Sequence, residues 1–121
     1  MTTKTLELGG VRVLALSAEG PTVGTANDLI SLAWEHQADL VAVPAERLGD
    51  AFFKLATGVA GEIAQKFVNY RLRLAVLGDI SAQVENSKAL KSFVYESNQG
   101  SQLWFLDDLD ALAVRLSSPA P

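Results

Sequence analysis

The sequence predicts an α/β fold, a mostly parallel sheet of about five strands with one antiparallel strand supplied by an N-terminal hairpin. Three observations carry this. Gly9 and Gly10 separate two apolar runs, 5–8 and 11–16, and a glycine pair in that setting marks a tight hairpin whose turn needs positive φ. A short continuous apolar run at 40–43 and largely apolar ones at 72–77 and 102–106 are as expected of strands buried on both faces of a parallel sheet. Segments of helical period lie between them, giving the order β-β-α-β-α-β-α-β-α.

After the hairpin, Gly20-Pro21 marks a loop. Thr25 or Asn27 then suits the N-cap of a helix to about Gln37, with Ala26, Leu29, Ile30 and Ala33 on one face. The strand at 40–43 stops at Pro44, which has no N–H to give a ladder. Asp50 fits the next N-cap, its carboxylate near the positive helix end, and the helix should continue to about Asn69. The strand at 72–77 ends in Gly78-Asp79. Asn86 or Ser87 can cap a further helix through about Ser97, closed by Asn98 or Gly100. The strand at 102–106 leads into a short final helix, 107–116. One domain over residues 1–116 is expected, with 117–121 (SSPAP) as a flexible tail.

A chain of 121 residues can bury a sizeable core, and 49% hydrophobic with 20% charged residues describes a soluble globule. The net charge of −4 argues against nucleic acid and membrane surfaces as partners, because both demand a concentrated basic face. Lys66, Arg71 and Arg73 are the closest approach to one. Cysteine is absent, which excludes disulfides, thiolate zinc sites and a cysteine nucleophile. The first ten residues have no apolar core of a signal peptide, and no run reaches the ~20 apolar residues of a membrane helix. A cytoplasmic protein is the expectation.

The helix at 50–69 separates cleanly at 100° per residue. Phe52, Ala56, Val59, Ala60, Ile63 and Phe67 form the apolar arc, with Leu55 and Ala64 at its edges. Lys54, Gly58, Gly61, Glu62, Gln65 and Asn69 lie opposite. A mid-helix glycine costs ~1 kcal/mol against alanine, and on the outward face no core packing offsets it. Close approach of another chain, including a second copy, or of a flat ligand would offset it. Gln65 and Asn69 would then offer hydrogen bonds, with Thr57 and Val68 as an apolar border. The bland alternative is that surface glycines are tolerated.

A second set of residues could carry chemistry. Asp79 and Ser81 follow one strand and Glu46 and Asp50 another, where open α/β sheets place ligand-binding groups. Converging carboxylates could act as acid and base or hold a metal. Against this, Gly-Asp suits a turn and Asp50 a cap, and no glycine-rich phosphate loop follows a strand. His36 is the single histidine and has no neighbour at ligand spacing beyond Glu35 and Asp39, so it reads as structural or solvated. Neither a metal nor another cofactor is expected. Asn69, Tyr70, Glu96 and Asn98 should gather at the sheet's N-terminal edge, with Asn98 as a C-cap. Trp34 and Trp104 should pack in the core or at its rim.

The residues Phe52-Phe53, Leu55, Thr57-Gly58, Ala60-Gly61-Glu62, Gln65-Lys66-Phe67, Asn69-Tyr70, Gly78-Asp79, Ser87 and Tyr95-Glu96-Ser97-Asn98 resemble a bacterial family catalogued as domain of unknown function 4180. That resemblance brings no activity with it but includes both glycines. The element order also resembles the sulfate-transporter/anti-sigma-antagonist (STAS) domain, a regulatory binding module. This implies a partner surface on the loop after the second main strand and on the helix that follows. Phospho-regulated members have a hydroxyl at the start of that helix, where this chain reads Ala45-Glu46-Arg47-Leu48-Gly49-Asp50 with no hydroxyl before Thr57. The function expected is a non-catalytic STAS-like interaction module that binds a protein partner or itself. A small enzyme or a ligand or metal sensor at Glu46, Asp50, Asp79 and Ser81 is the alternative.

Overall fold

The computed structural model describes residues 3–20, 22–23 and 25–117. Five strands form one sheet in the order β1-β2-β3-β4-β5: Thr3–Leu8, Val11–Leu16, Leu40–Pro44, Arg73–Leu77 and Leu103–Leu106. β1 runs antiparallel to β2, and every later pair is parallel. Gly9 and Gly10 turn the hairpin with φ of +56° and +81°, a pair of left-handed residues that matches strand twist. The α/β class, the hairpin and the parallel sheet are as the sequence predicts.

Among the described residues six α-helices connect or follow the strands: α1 (Ala26–Glu35), α2 (Asp50–Phe53), α3 (Val59–Asn69), α4 (Ser81–Glu85), α5 (Lys88–Gln99) and α6 (Leu109–Ser117). Side chains set the starts of α1, α5 and α6. Thr25 Oγ1 accepts the Asp28 N–H, Ser87 Oγ the Leu90 N–H, and Asp108 Oδ1 the Ala111 N–H. The sheet divides the core. On one face Leu14, Val41, Val43, Leu74, Val76 and Phe105 meet Leu29 and Ile30 of α1, Ile63 and Phe67 of α3, and Leu90 of α5. On the other, Val13, Ala15, Leu40, Ala42, Ala75 and Trp104 meet Leu112 of α6.

The structure corrects several expectations. The helix at 50–69 is broken: α2 ends at Phe53, a 3-10 turn covers Leu55–Thr57, and α3 starts after Gly58. Lys54 is extended (φ −101°, ψ 97°) and Gly58 is left-handed (φ +82°), and neither conformation fits a continuous helix. Asp50 is the first residue of α2 rather than its cap, since Gly49 holds the cap position with φ +83°. α4 is an additional helix between β4 and α5. Ser117 still belongs to α6, and the remainder of the expected tail, 118–121, lies outside the described residues.

Candidate functional site

The break between α2 and α3 is built from Thr57. Its Oγ1 lies 2.7 Å from the Ala51 carbonyl and 2.8 Å from that of Lys54, and also accepts the Val59 N–H at 3.3 Å. Thr57 therefore ties the end of α2 to the start of α3. Gly58 is explained by its backbone, because a side chain there would be strained whatever the space. Gly61 is different. It lies in the first turn of α3 without positive φ, is exposed, and has nothing within 4 Å of the place a Cβ would take.

Beyond Gly61 the outward face of α3 is a polar ladder closed on itself. Lys66 Nζ and Glu62 Oε2 stand 3.8 Å apart, and Gln65 Nε2 donates to Asn69 Oδ1 at 3.2 Å. These i,i+4 pairs are exposed, so each contributes only tenths of a kcal/mol, about 0.2–0.5. Thr57, Gly58, Gly61, Glu62, Gln65 and Asn69 thus do fall along one segment. Thr57 and Gly58 belong to its break, and the other four to an open helix face.

At its C-terminal end this face meets a cluster that the sequence does not announce. Trp34 is 59% exposed and Tyr70 49% exposed, and their rings meet edge-to-face with centroids 5.1 Å apart. Val68, 48% exposed, is the next-to-last residue of α3. Immediately after each aromatic helix end lies a non-glycine residue in the left-handed region, Gln37 (φ +55°) and Arg71 (φ +59°). The Ala38 N–H reaches the Ala33 carbonyl at 2.8 Å and the Leu72 N–H that of Phe67 at 2.8 Å, so α1 and α3 close with the same motif. Glycine is the favoured residue at such a position, and a side chain there costs roughly 1 kcal/mol. The chain nonetheless keeps an exposed glutamine and an exposed arginine beside the aromatic pair. Trp34 was expected in the core or at its rim. The period places it four residues after Ile30, at the edge of the apolar face, and the signal for its exposure lies only in the partner it finds.

The expected neighbours at this edge go to separate partners. Asn69 bonds Gln65, Tyr70 rests on Trp34, and Asn98 bonds the backbone of Phe105 instead of capping α5. His36 gives its carbonyl to Arg12 Nε at 3.2 Å. Trp104 is buried, with the guanidinium carbons of Arg73 and Arg115 4.6 and 4.4 Å from its ring centroid. Burial, then the nearby Arg115 charge, lowers the pKa of Arg73 from its usual value, with Asp39 opposing.

The second set of carboxylates is divided. Asp79 accepts from the Ser81 N–H at 2.9 Å and the Ser81 hydroxyl at 2.6 Å, and these bonds hold its carboxyl below the usual aspartate range. Glu46 Oε1 comes within 3.9 Å of where a Cβ on Gly78 would stand. Asp50 faces a different space, a cavity of about 550 Å³ that it lines with Phe53, Lys54, Leu55, Gln83, Asn86 and Ala89. Among the described residues no three His, Asp or Glu side chains form a group that could hold a metal ion. No described helix is long and apolar enough to cross a membrane.

No curated protein and no solved structure matches the chain. A family model does match it over residues 8–116, nearly the whole of the described fold. That model takes in the hairpin turn, both glycines of the 58–61 segment and all of β2 to β5. The chain belongs to the family described as Domain of unknown function (DUF4180).

Proposed function

We propose that the protein is a non-catalytic interaction module that binds another protein chain through the outward face of α3 and the aromatic cluster at its end. A second copy of itself is the partner we put forward first. The observation that carries the reading is the exposed Trp34–Tyr70 pair, flanked by Gln37 and Arg71 at positions where glycine would be more stable. Tryptophan, tyrosine and arginine are the residues that dominate binding energy at protein interfaces. Gly61 adds an open approach for a facing backbone, and Val68 an apolar contact beside it.

The STAS-like regulatory role is the finer form of this reading. It rests on element order, a hairpin followed by parallel strands, with the segment after β3 leading into α3. The cytoplasm is the compartment we propose.

Sedimentation velocity over a wide concentration range tests the reading. A reversible dimer is expected, shifted toward monomer by Gly61→Gln and by Tyr70→Ser. A wild-type monomer at every concentration, or a dimer that both variants leave intact, would overturn self-association through this surface.

A further inference from the structure

The broken helix leaves a concavity that the interaction surface does not use. Its volume is about 550 Å³, within the range of small-molecule sites. One wall is the segment from Asp50 to Ala56, and the other is the junction of α4 and α5, with Gln83, Asn86, Ser87 and Ala89. Phe53, 8% exposed, is the innermost of the apolar lining groups, which also include Leu55, Ala56 and Ala89.

The charges on this lining are the informative part. Asp50 and Lys54 stand at i,i+4 spacing, where a regular helix would bring them together. The chain leaves the helix at Lys54, and among the described residues neither makes an ion pair. A carboxylate and an ammonium, both exposed and unneutralised, therefore border one apolar hollow. Amide and hydroxyl groups from Gln83, Asn86 and Ser87 complete its polar rim.

We infer that this cavity binds a zwitterionic small molecule with an apolar body, of which a large apolar amino acid is the simplest example. The ligand's ammonium faces Asp50, its carboxylate faces Lys54, and its side chain lies against Phe53 and Leu55. A ligand with only one charge leaves the other protein charge unmatched. A purely apolar one leaves both.

The inference stands apart from the interaction reading and is tested on the same protein by amide NMR titration. The probes are L-phenylalanine, phenethylamine, which lacks the carboxylate, and hydrocinnamic acid, which lacks the ammonium. L-phenylalanine is expected to shift the amides of 50–56 and 83–89 saturably. Each analogue, and each of Asp50→Asn and Lys54→Met with L-phenylalanine, is expected to bind roughly tenfold or more weakly, the scale of one lost charge-assisted hydrogen bond. Ala89→Trp, at an exposed helix position, should fill the hollow and abolish the shifts. No saturable shift with L-phenylalanine up to millimolar concentration would overturn the inference. So would equal binding of the analogues, or binding that Ala89→Trp and both charge variants leave unchanged.

Discussion

Asn98 occupies the place of a sixth strand. β5 is an edge strand, and the Phe105 N–H donates to Asn98 Oδ1 at 2.7 Å while its carbonyl accepts from Nδ2 at 3.3 Å. One side chain thus pairs both outward groups of Phe105, which an edge strand would otherwise offer to another chain. Asn98→Ala should cost about 1–3 kcal/mol in denaturant unfolding, because it strands two partly buried backbone groups. Asn98→Asp should fall between the two, keeping the acceptor and losing the donor. The sequence predicts a cap at Asn98 because it lies near a helix end, and nothing local announces a partner seven residues on. Asp79 is governed at the same scale. Its pKa is depressed mainly by the Ser81 hydroxyl, so its favourable contribution is present above the ordinary aspartate range and is lost as pH falls through the lowered value. Ser81→Ala should raise that pKa toward the ordinary range in a carboxyl NMR titration. An unmoved titration would sink the hydroxyl as its cause.

The two glycines of the 50–69 segment separate at the scale of the element. Read as one helix, both cost stability, and both alanine variants would gain it. The break reverses one of them. Gly58→Ala should destabilise by about 1–2 kcal/mol, since φ is +82° there. Gly61→Ala should stabilise by up to ~1 kcal/mol, since the backbone is helical and the space is open. Equal signs in thermal or denaturant unfolding would contradict the break. The break was hidden because Phe52, Ala56, Val59, Ala60 and Ile63 keep helical spacing across it, and Thr57 closes it through hydrogen bonds that leave no periodic trace. α4 was hidden for the opposite reason. At five residues it is too short for a periodic signal, although Ile80 and Val84, one turn apart and both packed on the core, did mark it.

At the scale of the whole molecule the two sheet faces are unequal. Continuous apolar strands such as 40–43 showed that both faces are covered, but not by what, because a strand's sequence does not specify its cover. The aromatic cluster was hidden for a related reason, being assembled from the ends of α1 and α3, which are distant in sequence and adjacent only once folded. Helices α1, α3 and α5 share one face, whereas among the described residues the cluster on the other face takes its helical cover from α6. That helix is held at its C-terminal end. Leu116 lies so close to Gly9 that a Cβ on Gly9 would come within 2.6 Å of its carbonyl oxygen, and Arg115 stands over the Trp104 ring and bonds the Asn98 carbonyl. Among the described residues, the cluster around Leu112, which is fully buried at the centre of α6, has no second helix to relax into the space it would leave. Leu112→Ala should therefore cost about 2–5 kcal/mol. Because both clusters share strands β2 to β5, the loss should appear as a lower midpoint of one cooperative transition. Two transitions, with the near-ultraviolet signal of Trp104 lost first, would show instead that the α6 layer unfolds as a unit of its own.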